Sequence, residues 1–525
     1  MPSIFTRALL VILGVSGLSA PLAAQTWYRA DTHHFEIYSD GGSRELENFA
    51  HEAEKFDALL RMLFNRPAKK NPVRLTIYLL DDTRAVQRLT QSNAAGFYSR
   101  RVEQTYAVGS RESQGDRSDL GGKRVLFHEY AHHFMFHNFA FPAPSWFVEG
   151  FAEFVATADF KRNGSWTFGE PAHHRAYEVQ NGPSIPIERL LSDGYERRAK
   201  DDRSSFYGWS WALTHMLYSD PEERGDQIMR YLRDMNTGMS SLEAAEKHFG
   251  DLGELEKSLR GYVRRSMAYS KSDKPIPYKD DVSVVKLSDT DSRLIGLRLE
   301  RLSAADTSGL RAKLSRNAAE SNTAAAWLEL AELEFFLTHR ENSEILREDK
   351  DAEVTYDFSA SQAALDRALA LSPDLPRANI LAGRLLLEPF DHDEENADEA
   401  NWAKARALFL KANRADPNDA LALYMYAQSA QREGIEDPMI GPALETAFGF
   451  RPEFNDFRSA LAMHYANEGE YDRAIGLLKI IANNPHGGKW AERQIGRLEN
   501  ARDGVADLID LPSPDDEEEE DDEQS

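Results

Sequence analysis

The hydrophobic and polar positions in the first half of the chain follow two different periods. His34 to Ser39 (HFEIYS) predicts a strand, and Val73 to Leu79 alternates apolar and polar residues as a half-buried strand does. Between them, Ser43 to Phe64 carries apolar residues at spacings of three and four, which is typical of an amphipathic helix. Gln104 to Val108 is a further short strand candidate, and helical patterns dominate after about Gly122. A small sheet followed by helices indicates an α+β fold.

The second half of the chain is predicted to be almost entirely helical, and it repeats. A pattern recurs in which a small residue is followed by Phe or Leu, then by Ala and then by Pro. Its clearest copy is Ala405, Phe409, Ala412 and Pro417. Over Asn322 to Pro485 the pattern resembles the tetratricopeptide repeat, a helix pair of about 34 residues that buries its apolar face only against neighbouring pairs. A capping helix is expected over Lys489 to Arg502. An irregular helical bundle is the alternative interpretation.

Composition limits the partners and the chemistry of this protein. A chain of 525 residues predicts two to four domains, and its net charge of −25 argues against a nucleic-acid partner, which would need a basic face. Because the chain has no cysteine, a metal must be held by His, Asp or Glu. The unbroken acidic run from Asp515 to Glu523 predicts a solvated, disordered tail.

The first residues predict a signal peptide. Arg7 supplies a positive charge, Ala8 to Leu18 is apolar, and Ala20 to Ala24 is a small-residue cleavage region. Cleavage there would leave a mature chain that starts near Gln25 and is exported to the periplasm or out of the cell. The alternative is an uncleaved segment, in which case the chain would contact a membrane.

The candidate chemistry lies in the segment VLFHEYAHHF, which runs from Val125 to Phe134. His128 and His132 are four residues apart, so on a helix they lie on one face and can share one ion. Glu129 lies about a quarter-turn away, where it can reach a water molecule at that ion without binding the ion. The apolar surroundings predict partial burial of these groups, which is costly without a partner such as a metal. The alternative is a core-facing helix with incidental histidines.

A second segment, SWFVEGFAEFV from Ser145 to Val155, supplies further carboxylates. Glu149 is available as a third ligand. Glu153, one turn later, can accept a hydrogen bond from the second nitrogen of a ligating histidine. Together, HEYAH and WFVEGFAEF resemble the gluzincin branch of the zincin metallopeptidases, the peptidase MA-like domains, which include thermolysin-like and aminopeptidase N-like enzymes. The resemblance spans roughly Trp27 to Tyr269 and implies a Zn²⁺ site formed by His128, His132 and Glu149.

The sequence also departs from these enzymes. Sixteen residues (133–148) separate His132 from Glu149, slightly fewer than in the two groups named. The segment with which aminopeptidases hold a free amine is absent, so endopeptidase activity is favoured over exopeptidase activity. The pattern of the metzincins fails at Met135 and Asn138.

The resemblance implies that zinc activates a water molecule and that Glu129, as general base, takes its proton and passes it to the leaving amine. The oxyanion needs a donor besides zinc. The helix predicted over Ser205 to Leu217 offers Tyr207, which we favour, and His215, although Tyr207 is as readily a packing residue. His133 and His137 are expected to face away from the metal.

These predictions divide the chain into five parts: a signal peptide (1–24), an α+β zincin-like metallopeptidase domain (25–270), a linker rich in Pro, Lys and Asp (271–288), an all-α tetratricopeptide-like solenoid (289–505) and an acidic tail (506–525). The predicted function is that of an exported zinc endopeptidase whose repeats dock a substrate or partner protein, with Gln104 to Val108 as the edge strand that pairs with substrate. The alternative is a catalytically inactive zincin module in a tetratricopeptide binding protein.

Overall fold

The structure, a computed structural model, describes residues 26–505 except 68–72, 93, 112–120, 140–142, 193–202, 220–223, 225, 304–306, 308, 349–351, 353, 389–400 and 483–488. The predicted signal peptide and acidic tail lie outside the described residues. Among the helices that are described, none combines the length and the apolar character needed to cross a membrane.

Nine strands are found in the described ranges: β1 (Tyr28–Asp31), β2 (Phe35–Ser39), β3 (Leu75–Leu80), β4 (Gly96–Arg100), β5 (Thr105–Ser110), β6 (Asp159–Phe160), β7 (Trp166–Phe168), β8 (Ser270–Ser272) and β9 (Ser283–Lys286). The helices of the first half are α1 (Ser43–Leu63), α2 (Thr83–Thr90), α3 (Gly122–Asn138), α4 (Ser145–Val155), α5 (His173–Asn181), α6 (Ile187–Leu191), α7 (Arg203–Ser219), α8 (Gln227–Asn236), α9 (Ser241–Phe249) and α10 (Leu252–Tyr262). Those that follow are α11 (Asp289–Ser303), α12 (Leu310–Ser321), α13 (Ala324–Glu348), α14 (Ser359–Leu371), α15 (Pro376–Arg384), α16 (Trp402–Ala415), α17 (Ala420–Glu433), α18 (Ile440–Phe450), α19 (Asn455–Asn467), α20 (Tyr471–Ala482) and α21 (Lys489–Arg502).

The main sheet has six strands in the order β4-β5-β3-β2-β1-β9. The β2–β3 and β3–β5 pairs are parallel, and the other pairs are antiparallel. Strands β2, β3 and β5, together with α1, fall within two residues of the predicted positions, whereas β1, β4 and β9 were not predicted. The prediction that Gln104 to Val108 forms the edge strand is wrong, because β5 is hydrogen-bonded to β3 on one side and to β4 on the other. The strand at that edge is β4.

Both faces of the sheet are covered. On one face, Ile37, Ile77 and Ala107 pack against the helices that include α1 and α3. On the other face, Tyr38, Tyr78 and Tyr106 belong to a cluster with α2 and α11. Its buried members are Trp27, Tyr38, Tyr78, Leu80, Val86, Tyr106, Val108, Ile295, Leu299 and Leu302. All six residues of β3 are therefore buried, and the half-buried pattern predicted for this strand is wrong.

The predicted linker, residues 271–288, is part of the sheet structure. Strand β9 pairs antiparallel with β1, and β8 pairs with β7 in a small sheet of order β6-β7-β8. Three of the four residues of β9 are exposed, as is common at a sheet edge, and the segment around it is rich in Pro, Lys and Asp, so composition alone predicts a spacer. This segment connects directly to α11, which covers the back of the sheet.

After residue 288 the described residues form helices and no strands, as predicted, and consecutive helices pack against one another from α12 to α21. Leu314, Leu333 and Leu365 lie in one of the apolar clusters of this region, and other clusters follow along the chain. Pro373, Pro417 and Pro452 each lie in a loop between consecutive helices, and α21 has the predicted bounds of the capping helix. The protein thus has a mixed α/β first half and an all-helical second half.

Candidate metal centre

Close backbone contacts fix the two helices that carry the candidate ligands. At the start of α3, a Cβ on Gly122 would collide with the carbonyl oxygen of Ser110, so a glycine lets the helix begin directly against the end of β5. A Cβ on Gly150 would collide in the same way with the carbonyl oxygen of Ser210, which brings α4 close to α7. Every residue of α4 is buried, including Glu149.

The atoms predicted to bind a metal lie together at one point between α3 and α4. Nε2 of His128 and Nε2 of His132 are 3.0 Å apart, and Oε2 of Glu149 lies 3.5 Å from the first and 3.4 Å from the second. In a tetrahedral zinc site with bonds of about 2.0–2.2 Å, ligand atoms lie about 3.3–3.5 Å apart. The separations agree with that requirement to within a few tenths of an ångström, and the three residues form a group that could hold a metal ion.

The electrostatics of this group favour a bound cation. Burial opposes charge on His128, but Glu153 and Glu149 outweigh it and raise the pKa of the imidazole to about 10. Burial would raise the pKa of Glu149, but His132 and His128 hold it well below its ordinary range. Oε2 of Glu149 is buried and accepts no hydrogen bond from the described residues. A buried carboxylate oxygen that faces two imidazole nitrogens at 3.4 and 3.5 Å without a hydrogen bond fits a metal cation.

Glu153 lies behind His128, on the side away from Glu149. Its Oε1 is 3.3 Å from Nδ1 of His128 and 2.6 Å from an Arg175 guanidinium nitrogen, and its Oε2 is 3.2 Å from Nε2 of His174. Burial would raise the pKa of Glu153, but the charges of His128 and Arg175 hold it well below its ordinary value. Glu153 therefore stays ionised and can orient the His128 ring.

His174 and Arg175, at the start of α5, are site residues that the sequence analysis missed. They lie more than twenty residues after Glu153 along the chain, and only the fold brings them to it. The available signal was the run AHHRAYE, in which two histidines and an arginine open a short helix. No local spacing connects that run to the motif on α3.

Glu129 lies on α3 beside the candidate ligands, and its side chain is half-buried. Within the described residues its carboxylate forms no hydrogen bond or ion pair, whereas the carboxylates of Glu149 and Glu153 are held by neighbours. An unengaged carboxylate at this position is free to accept a proton from a water molecule.

The two candidate oxyanion donors on α7 have different surroundings. The Arg175 guanidinium lies 4.9 Å from the centre of the Tyr207 ring, so Tyr207 is linked to Glu153 through that arginine. His215 is fully buried, with Nε2 2.7 Å from the carbonyl oxygen of Gly169 and Nδ1 2.7 Å from the hydroxyl of Tyr262. Burial lowers the pKa of His215 to about 4. Both of its ring nitrogens are engaged, so it is a structural residue.

The two other histidines of α3 contact residues outside the candidate ligand group. Nδ1 of His133 is 3.0 Å from the hydroxyl of Tyr98 on β4, and Nδ1 of His137 is 3.3 Å from a carboxylate oxygen of Glu453. Neither belongs to the candidate ligand group among the described residues.

A second cluster of metal-ligating residue types, His34, Glu54 and Asp57, does not fit a metal. Nδ1 of His34 lies 2.8 Å from Glu54, which also accepts hydrogen bonds from Thr32 and from the His34 amide. Asp57 accepts from Arg61 at 2.6 Å and from the hydroxyl of Tyr130 at 2.6 Å. Because both carboxylates are already hydrogen-bonded and Asp57 is also paired with Arg61, this cluster is explained as a network that ties α1 to α3 and to the turn between β1 and β2.

Comparison of the chain with protein-family models, curated proteins and solved structures gives no match.

Proposed function

We propose that this protein is a zinc-dependent metallopeptidase of the gluzincin type. The observation that carries the proposal is the meeting of Nε2 of His128, Nε2 of His132 and Oε2 of Glu149 within 3.5 Å of one another. Glu129 lies next to that group on the same helix, and its carboxylate forms no hydrogen bond or ion pair with the described residues. Two imidazoles and a carboxylate with a neighbouring free carboxylate are the residues that zinc-dependent hydrolysis needs.

Each of these residues has a distinct part in the proposed reaction. His128, His132 and Glu149 would hold the ion. A zinc ion held there would lower the pKa of a water molecule from about 15.7 towards about 7 and would polarise the substrate carbonyl. Glu129 takes the proton of the attacking water and transfers it to the amine that leaves. Glu153 fixes the orientation of the His128 ring.

The substrate is proposed to lie along β4. This strand has a partner only on its β5 side in the described sheet, and it borders α3. An extended peptide can add to such an edge as a further strand, with its main chain hydrogen-bonded to β4. Tyr207 is proposed as the donor that stabilises the oxyanion. A peptide bound by its main chain in this way favours endopeptidase activity.

Two further parts of the proposal rest on sequence alone. The helical half is proposed to be a tetratricopeptide-like array that docks a substrate or partner protein, and the protein is proposed to be exported by its N-terminal signal. A catalytically inactive zincin module in a binding protein is the alternative, and activity measurements separate the two.

The proposal is tested by metal content. Purified wild-type protein should contain close to one zinc per chain, and His132→Ala close to none. His51→Ala is a matched control, because His51 lies on α1 beside Tyr278 and Asp280. Equal zinc in wild type and His132→Ala would disprove the site.

A further inference from the structure

The loop that joins β4 to β5 is bound by the helical half of the protein. Val102, in this loop, packs against two apolar clusters of that half, one that contains Phe409 and one that contains Phe457. A loop from the first half of the chain thus contributes to the core of the second half.

Arginines from the helical half also bind the backbone of this loop. Arg451 donates hydrogen bonds of 2.7 Å to the carbonyl oxygens of Arg101 and Val102. Arg377 donates one of 2.7 Å to the next carbonyl, that of Glu103. Three consecutive carbonyl groups are therefore held by two guanidinium groups, in the way a peptide ligand is held.

Glu453 completes this binding surface, in the loop between α18 and α19. Its Oε1 accepts a hydrogen bond of 2.9 Å from the hydroxyl of Thr105, and its main-chain oxygen accepts one of 3.1 Å from Arg100. Its Oε2 lies 3.3 Å from Nδ1 of His137, in the last turn of α3. The Glu453 side chain is only 2% exposed, so these contacts are shielded from water.

Two paths lead from Glu453 towards the metal centre, one to the edge strand β4 and one to the candidate ligand His132. In the first, the His137 ring stacks on that of His133, which contacts Tyr98 on β4. In the second, the Arg100 guanidinium lies 5.4 Å from the centre of the Phe136 ring, and that ring stacks on the imidazole of His132. The Glu453 carboxylate therefore contacts α3, and the main-chain oxygen of Glu453 contacts Arg100 at the end of β4.

We propose that Glu453 is a positioning residue of the metal centre: from the helical half, it holds the last turn of α3 against β4 and so sets the geometry at His132. This inference rests on the proposed metal site. The helical half then acts as part of the catalytic unit, and the surface formed by Arg377, Arg451 and Glu453 is occupied by the protein's own loop.

The test compares Glu453→Gln with wild type in the full chain. Glutamine keeps the shape and removes the charge that faces His137. Glu445→Gln is the matched control, since Glu445 is a half-exposed residue of α18 that contacts Tyr465 and Arg473. Two quantities are measured, namely the zinc dissociation constant and the visible absorption spectrum of the cobalt-loaded protein, which reports on ligand geometry.

We expect Glu453→Gln to weaken zinc binding by about tenfold, the lower end of the range for groups that orient ligands, and to change the cobalt spectrum. Glu445→Gln should match wild type in both measurements. Glu453→Asp should recover part of the affinity. The same affinity and spectrum in Glu453→Gln and wild type would overturn the inference while leaving the metal site intact.

The variant His137→Asn removes the contact between His137 and Glu453 from the His137 side. It replaces Glu453→Gln in the test if Glu453→Gln does not fold. In the double variant, the loss of affinity should be smaller than the sum of the two single losses, because both changes remove the contact between Glu453 and His137. Additive losses would overturn the proposed path through His137. A wild-type protein that binds no cobalt or zinc would overturn the metal site itself, and one that binds metal without hydrolysing peptides would overturn only the proposed activity.

Discussion

Oε2 of Glu149 lies 3.4 Å from Nε2 of His132, although sixteen residues (133–148) separate the two along the chain. Their helices are held in place by glycines at close backbone contacts, Gly122 and Gly150. By itself, an HExxH sequence is only moderately specific for a metal site. Here the fold adds Glu149 to the two histidines, so three ligand atoms converge.

Tyr207→Phe tests the proposed oxyanion donor. Loss of the hydroxyl should reduce kcat by about 10²–10³-fold with little change in KM, because the donor acts on charge that develops in the transition state. Zinc content should not change. Tyr177→Phe, at an exposed tyrosine of α5, is the control. An unchanged kcat would make Tyr207 a packing residue beneath Arg175.

A fragment that ends at Met267 tests how the two halves depend on each other. It lacks β9 and α11, so the aromatic cluster on the back of the sheet, which includes Tyr38, Tyr78 and Tyr106, loses its cover. We expect this fragment to be insoluble or to lose cooperative thermal unfolding. A fragment that ends at Ser303 keeps both elements and should be the more soluble of the two. A soluble, zinc-loaded fragment ending at Met267 would show that the first domain ends where the sequence analysis placed it.

His215 should make stability depend on pH. Burial lowers its pKa to about 4, whereas an unfolded histidine titrates near about 6.5. Between these values the unfolded chain binds a proton that the folded chain does not, so the free energy of unfolding should fall as the pH falls from about 6.5 to about 4. In chelator-treated protein unfolded by urea, His215→Gln should lose less stability than wild type between about pH 7 and about pH 5. Equal losses would contradict the buried, neutral state of His215.

Much of the local structure could be predicted from sequence. The predicted helix α1, the helical character of the C-terminal region and the capping helix α21 appear in the structure, as does the close approach of His128 to His132. These features depend on residues that are near one another in sequence, where helical and strand periods apply.

Features that depend on distant segments could not be predicted. Strand β9 is short and mostly exposed, and its pairing with β1 joins residues about 250 positions apart. The contact of Glu153 with Arg175 and that of His137 with Glu453 likewise join separate helices. No spacing rule in a single sequence connects such positions, so the linker was predicted where the sheet in fact continues.

The central claim is zinc-dependent peptide hydrolysis with Glu129 as the general base. Its most direct test is the rate at which purified protein cleaves an unfolded protein substrate. The rate is measured for wild type, chelator-treated wild type and Glu129→Gln. Glu246→Gln, on the exposed face of α9, is the control. We expect the chelator to abolish cleavage and added zinc to restore it. Glu129→Gln should keep its zinc and cleave at least about 10²-fold more slowly, because glutamine cannot accept the proton. Cleavage by Glu129→Gln at the wild-type rate, or zinc-loaded wild type that cleaves nothing, would contradict the claim.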